Sequence, residues 1–171
     1  MSAAASPREL DRSAFVAQFG AVFEHSPWIA EAAFDAGLPE DAETADGLHR
    51  TLCAVLREAP KARKRALIDA HPDLAGRLAR AGALTADSTS EQSAAGLDRL
   101  SDEDFARFTE LNEAYREKFG FPFIFAVKGR SKDEVLAAFE SRLANDPDSE
   151  FETALTQIER IALLRLKELL P

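Results

Sequence analysis

Only one stretch of this chain, from Phe121 to Val127 (Phe-Pro-Phe-Ile-Phe-Ala-Val), is apolar and extended in character without helical spacing. A single strand has nothing to pair with and is not stable alone, so the chain cannot be built on a sheet. Elsewhere the apolar residues recur at helical intervals, and glycine, proline and capping residues separate the runs. The pattern predicts an all-α protein, a single-domain helical bundle of about eight helices. One short extended segment lies near residues 121–127. Residues 1–8 read as a flexible N-terminal tail and residues 9–171 as one domain.

The expected helices follow from local signals. A first runs from about Asp11 to Phe19, with Phe15, Val16 and Phe19 inward. Pro27 suits the first turn of a second, Trp28 to Ala36, which Gly37 ends. A third covers Thr44 to Glu58, with Leu48, Leu52, Val55 and Leu56 on one face. A fourth runs from Pro60 to Ala70, and Pro72 stops it near His71. Leu74 to Ala81 reads as a further short helix, followed by a polar loop from Gly82 to Ser90. Ser101 is an N-cap with acidic residues behind it, and that helix carries Phe105, Phe108, Tyr115 and Phe119 on one stripe up to Gly120. Ser131 with Glu134, and Ser149 with Glu152, have the spacing of capping boxes for two more helices.

Composition narrows the function. Of 171 residues 46% are hydrophobic and 30% charged, with a formal net charge of −9, so the chain has both a core and a hydrated surface. Nucleic-acid binding needs a basic face to neutralise phosphates. The one basic run, Lys61 to Arg65, reads as the solvated side of a helix. No apolar run reaches the length of a membrane span, and no signal peptide or peroxisomal tripeptide is visible. A cytoplasmic protein is expected, with no nucleic-acid or membrane partner. Cys53 is the only cysteine and sits among Leu52, Val55 and Leu56, the setting of a buried structural thiol.

Four features carry possible chemistry. His71 stands at a helix end and is held by Pro72. It either moves a proton near neutral pH or caps helix carbonyls. Ser88, Thr89, Ser90, Glu91 and Gln92 crowd hydroxyls, a carboxylate and an amide together, either to hold a polar ligand or to start a helix. The segment through Phe123, Ile124, Phe125, Ala126 and Val127 leaves backbone groups that need partners. A ligand, side chains or water could supply them. Arg165 falls in line with Ile158 on the apolar stripe Phe151, Leu155, Ile158, Ala162, Leu169, so it is expected buried, against a protein or a ligand carboxylate. Asn112 interrupts the stripe between Phe108 and Tyr115. His25 reads as structural, and His49 lies on the charged side of its helix. No Cys or His cluster has zinc spacing, so no metal is expected.

Four motifs occur in this order: Glu24-His25-Ser26-Pro27-Trp28, His71-Pro72-Asp73-Leu74-Ala75, Ser88 through Gln92, and Gly120-Phe121-Pro122-Phe123-Ile124. In order and interval the set resembles the OHCU (2-oxo-4-hydroxy-4-carboxy-5-ureidoimidazoline) decarboxylases of urate breakdown, from about Leu10 onward. The resemblance implies an all-helical homodimer that needs neither metal nor organic cofactor, acts on a small ureide and yields (S)-allantoin. It implies that His71 and Glu91 are catalytic. It places Pro72, Ser88 to Gln92 and the backbone of Phe123 to Val127 at the substrate, with Arg165 facing it.

Two other readings compete. One is a helical interaction module with no chemistry, in which Arg165 pairs with a protein carboxylate and His71 is a cap. The other is a ureide hydrolase on a similar fold that holds a metal through His71, Asp73 and Glu91.

Overall fold

The structure is a computed structural model that describes residues 5–71 and 101–171. Among the described residues there are seven α-helices and no strand: α1 (Arg12–Phe19), α2 (Trp28–Ala36), α3 (Ala45–Glu58), α4 (Lys61–Ala70), α5 (Asp102–Phe119), α6 (Lys132–Leu143) and α7 (Pro147–Leu169). The short helix expected over Leu74 to Ala81 lies outside the described residues. The all-α expectation holds.

Caps set most helix ends. Thr44 Oγ1 accepts from Gly47 N at 3.1 Å, Ser101 Oγ from Asp104 N at 3.1 Å, and Ser131 forms the full capping box with Glu134. Gly120 ends α5 in the left-handed region, at φ 76°, and returns its N–H to Arg116 O, a conformation that costs most other residues a Cβ clash. The expected box at Ser149 is corrected. Helix α7 starts at Pro147, and Asp146 Oδ1 accepts from Ser149 N at 2.9 Å. Proline at the first helical position loses no hydrogen bond, so the helix begins nearly one turn earlier.

Residue contacts divide the chain into two units, Met1–Ala70 with Glu159–Pro171, and His71–Ile158. In the first, α1, α2 and α3 pack around Phe15, Phe19, Ile29, Leu48, Leu52 and Leu56, all fully buried. Within the stretch expected as a tail, Pro7–Glu9 makes a 3-10 turn with Pro7 buried, and Ser6 Oγ donates to Glu43. The acidic stretch before α3 forms another such turn, Glu40–Glu43, with Ala42 buried. Its Asp41 carbonyl lies where a Cβ on Gly47 would stand, 1.7 Å away, so glycine lets that turn rest on α3. At the other end of the unit, Ala45 N donates to Pro171 O at 2.8 Å.

In the second unit, α5 and α6 enclose an aromatic core. The Tyr115 ring meets Phe121 and Phe123 edge-on, at 5.9 and 5.2 Å, and Phe123 stacks on Phe139 at 3.7 Å. Phe123 and Phe125 are also stacked, at 6.1 Å. Residues 121, 123 and 125 therefore share one face, the period-two pattern of extended backbone. The segment expected to be extended lies outside every helix, with no partner strand among the described residues.

Candidate functional site

His71 directly follows the last residue of α4 and is buried, at 6% exposure. Pro72, Ser88, Thr89, Ser90, Glu91 and Gln92 lie outside the described residues.

Arg165 is buried, at 4% exposure, as its place on the α7 stripe predicts. Its Nη2 donates to Glu24 Oε1 at 2.9 Å and its Nη1 to the Val22 carbonyl at 3.3 Å. A protein carboxylate therefore partners it. Glu24 is fully buried, and an ion pair removed from water needs this kind of close, directed bonding to offset desolvation. The next residue, His25, takes φ 48°, and its Nε2 stands 3.9 Å from Glu24 Oε2. The stripe itself is corrected at its end. Leu169 is 36% exposed, while Leu166 and Leu170 are buried; α7 reaches Leu169 with its last turn rotated past the core side.

The extended segment is gripped from one side. Arg142 Nη1 donates to the Ile124 carbonyl, and Gln157 Oε1 accepts from Ala126 N at 3.0 Å. Arg142 is in turn locked by Glu150, which takes its Nη2 at 2.9 Å and its Nε at 3.1 Å. Tyr115 OH and Asn145 Nδ2 also donate to Glu150. Burial alone would raise the Glu150 carboxyl, yet the bonds from Arg142, Tyr115 and Asn145 outweigh it and hold the group below its ordinary range. Burial, with the bond to Glu150 behind it, pushes the Tyr115 hydroxyl up. The guanidinium also lies over the Phe123 ring, 4.4 Å from its centroid.

This buried cluster was missed by sequence reasoning. The signal was available, because Val135, Phe139 and Arg142 occupy one stripe of α6. Asn112 Oδ1 is buried without a hydrogen-bond partner among the described residues.

His49 bonds the Glu159 carbonyl through its Nε2 at 2.7 Å. Cys53 is only partly buried, and its Sγ lies 3.2 Å from the same ring nitrogen. Burial first, and the Glu159 carboxylate second, push this thiol well up.

No group of three or more His, Cys, Asp or Glu side chains fit to hold a metal occurs among the described residues. A surface groove of about 530 Å³ runs along Trp28, Ala32, Val55, Pro60 and Arg63 and includes none of the expected site residues. No helix among the described residues is long and apolar enough to cross a membrane.

Residues 8–167 match the family described as OHCU decarboxylase. The chain is 40% identical over 159 residues to the 2-oxo-4-hydroxy-4-carboxy-5-ureidoimidazoline decarboxylase of Haloferax volcanii, covering 93% of this chain and 90% of that one. The crystal structure of an (S)-allantoin synthase superposes with a TM-score of 0.76 at 33% identity, over 96% of this chain and 52% of its own, so the chain spans about half of that protein. A crystal structure of OHCU decarboxylase in the presence of (S)-allantoin superposes with a TM-score of 0.66 at 26% identity, over 83% and 89% of the two chains. With residues 8–167 matched by the family and 40% identity to a member over 93% of its length, this chain belongs to the OHCU decarboxylase family.

Proposed function

We propose that this protein removes carbon dioxide from OHCU and releases (S)-allantoin, with residues 9–171 working as one catalytic domain. The match of nearly the whole chain to OHCU decarboxylases carries this reading.

The substrate explains the economy of such a site. One ring carbon bears both the carboxylate and a hydroxyl. When the carbon–carboxylate bond breaks, its electron pair moves toward the neighbouring imine, and an enol remains. A proton then added to the neighbouring carbon from one face restores the carbonyl and sets a single handedness. Because the ring supplies its own electron sink, the step needs positioned proton carriers rather than a carbanion-stabilising cofactor.

In this reading His71 takes or gives the proton at the hydroxyl or carboxylate. Its burial at a helix end holds the imidazole in a fixed place. Glu91 orients the ureido or ring nitrogens. Pro72, the hydroxyls and amide of Ser88 to Gln92, and the backbone of Phe123 to Val127 bind the ureide. One feature of the segment supports its share: the backbone groups of Phe123 and Phe125 make no hydrogen bond among the described residues, although Phe123 is fully buried. Buried backbone without a partner calls for one, and a molecule rich in N–H and C=O groups is a fitting partner. A homodimer in the cytoplasm is the expected working form; equilibrium sedimentation tests the dimer.

The decisive experiment generates OHCU in place from urate with a urate oxidase and a hydroxyisourate hydrolase, with chelator present, and follows circular dichroism. Rapid appearance of the (S)-allantoin signal is the expected result. A trace matching the control without this protein sinks the decarboxylase reading and favours the interaction module. Activity abolished by the chelator favours the metal-dependent hydrolase.

A further inference from the structure

Extended backbone has two edges. The N–H and C=O of alternate residues point to the same edge, and those of the residues between point to the opposite one. In the segment from Phe121 to Val127 one edge is occupied. Ile124 C=O is held by Arg142 and Ala126 N–H by Gln157 at 3.0 Å. These two groups, from residues two apart, face the same way. The opposite edge belongs to Phe123 and Phe125, whose backbone groups make no hydrogen bond among the described residues.

We propose that Gln157, acting with Arg142, is a positioning residue for substrate binding: it holds the Ala126 edge so that the N–H and C=O of Phe125 stay turned toward the ureide. This rests on the decarboxylase reading and adds residues that act through the segment rather than by touching substrate. The two differ in what else they support. Arg142 also closes the buried bonding around Glu150 and stacks over Phe123, so its loss damages the core. Gln157 is half-buried, and among the described residues its side chain bonds only the Ala126 N–H. It isolates the orienting effect.

Without the Gln157 acceptor, the peptide unit between Phe125 and Ala126 is free to rotate about the extended axis. A ureide then meets a donor and an acceptor that must be re-aimed in every binding event. Such a loss weakens ground state and transition state alike, and it appears in KM more than in kcat.

The test compares the parent, Gln157→Met, which keeps the length and removes the acceptor, and Gln157→Glu, which keeps an acceptor oxygen. Steady-state kinetics on OHCU and thermal melting are measured for all three. Gln157→Met is expected to raise KM about five- to tenfold, the worth of one well-placed hydrogen bond, with kcat within about twofold and an unchanged melting temperature. Gln157→Glu is expected to restore KM to near the parent's. An active parent with Gln157→Met at the parental KM overturns this inference alone, as does an equal loss in both variants. A parent with no turnover overturns both this inference and the decarboxylase reading.

Discussion

Arg165 near the C-terminus and Glu24 near the N-terminus meet at 2.9 Å, at 4% and 0% side-chain exposure. Removing the guanidinium alone leaves a carboxylate buried beside the Val22 carbonyl it also served. Breaking a buried pair from one side costs about 3–5 kcal/mol, whereas replacing both members by uncharged groups costs much less. Arg165→Met is therefore expected to lower urea-unfolding stability by that amount. The double variant Glu24→Gln with Arg165→Met recovers a large part of it. Equal stability of the single and double variants would rule out the buried Glu24 charge as the source of the loss.

Acid should act on the second buried pair in a definite window. In the fold, Glu150 ionises below its ordinary value of 4.5, because the bonds from Arg142, Tyr115 and Asn145 outweigh the opposing effect of burial. A carboxyl with a depressed folded value contributes stability that is full above the unfolded value and fades as pH falls through the folded one. The parent's melting temperature is thus expected to drop below pH 4.5. Glu150→Gln should melt lower than the parent at neutral pH and respond less to acid, so the two curves converge as pH falls. Parallel curves across the whole range would rule out this role for Glu150.

Cys53 has a histidine nitrogen 3.2 Å from its sulfur, a spacing that suggests an activated thiol. The hydrogen bonding argues otherwise. The same Nε2 lies 2.7 Å from the Glu159 carbonyl, which can only accept, so the ring nitrogen carries the proton and cannot take one from sulfur. Burial and the Glu159 carboxylate further disfavour the thiolate. Native protein at pH 8 is expected to react with a disulfide reagent at least about a hundredfold more slowly than the urea-unfolded chain. Comparable rates would mean that the thiol is activated after all.

Helix starts were legible because serine and threonine caps and apolar stripes are local signals. The exception, Asp146 with Pro147 in place of Ser149, arises where two capping sequences overlap and the proline decides. Burial of Arg165 was legible from α7 alone. Its partner was not, since Glu24 lies 141 positions away and no periodicity relates residues at that distance. Arg142 lies on the buried stripe of α6 by the same logic. The backbone edge of the extended segment was anticipated as a polarity that needed partners. Which edge is taken depends on Arg142 and Gln157, contacts that only the fold creates.

Gly47 tests how tightly the acidic turn is seated. Alanine in a helix interior normally gains about 1 kcal/mol over glycine. Here the added Cβ would stand 1.7 Å from the Asp41 carbonyl oxygen and 2.4 Å from its carbon. Both are backbone atoms that move only with the whole Glu40–Glu43 turn. The clash outweighs the propensity, and Gly47→Ala is expected to be net destabilising by about 1–3 kcal/mol in urea unfolding. A stabilised variant would mean that the turn moves freely off α3.

His71 offers the sharpest separation of chemistry from architecture. It is buried just past the end of α4, where an imidazole can serve either proton transfer or the helix end. Asparagine keeps a polar side chain able to bond there but has no group that titrates near neutrality. If His71 moves the proton, His71→Asn should keep its melting temperature within a few degrees and lose at least about a hundredfold in kcat, the usual worth of a positioned acid or base. The residual rate should also lose the parent's dependence on a group titrating near neutral pH. If His71 only caps the helix, the order reverses: the variant melts earlier, and what remains folded turns over at the parental rate with the parental pH profile. Stopped-flow circular dichroism on freshly generated OHCU, read beside thermal melts of the same samples, distinguishes the two outcomes.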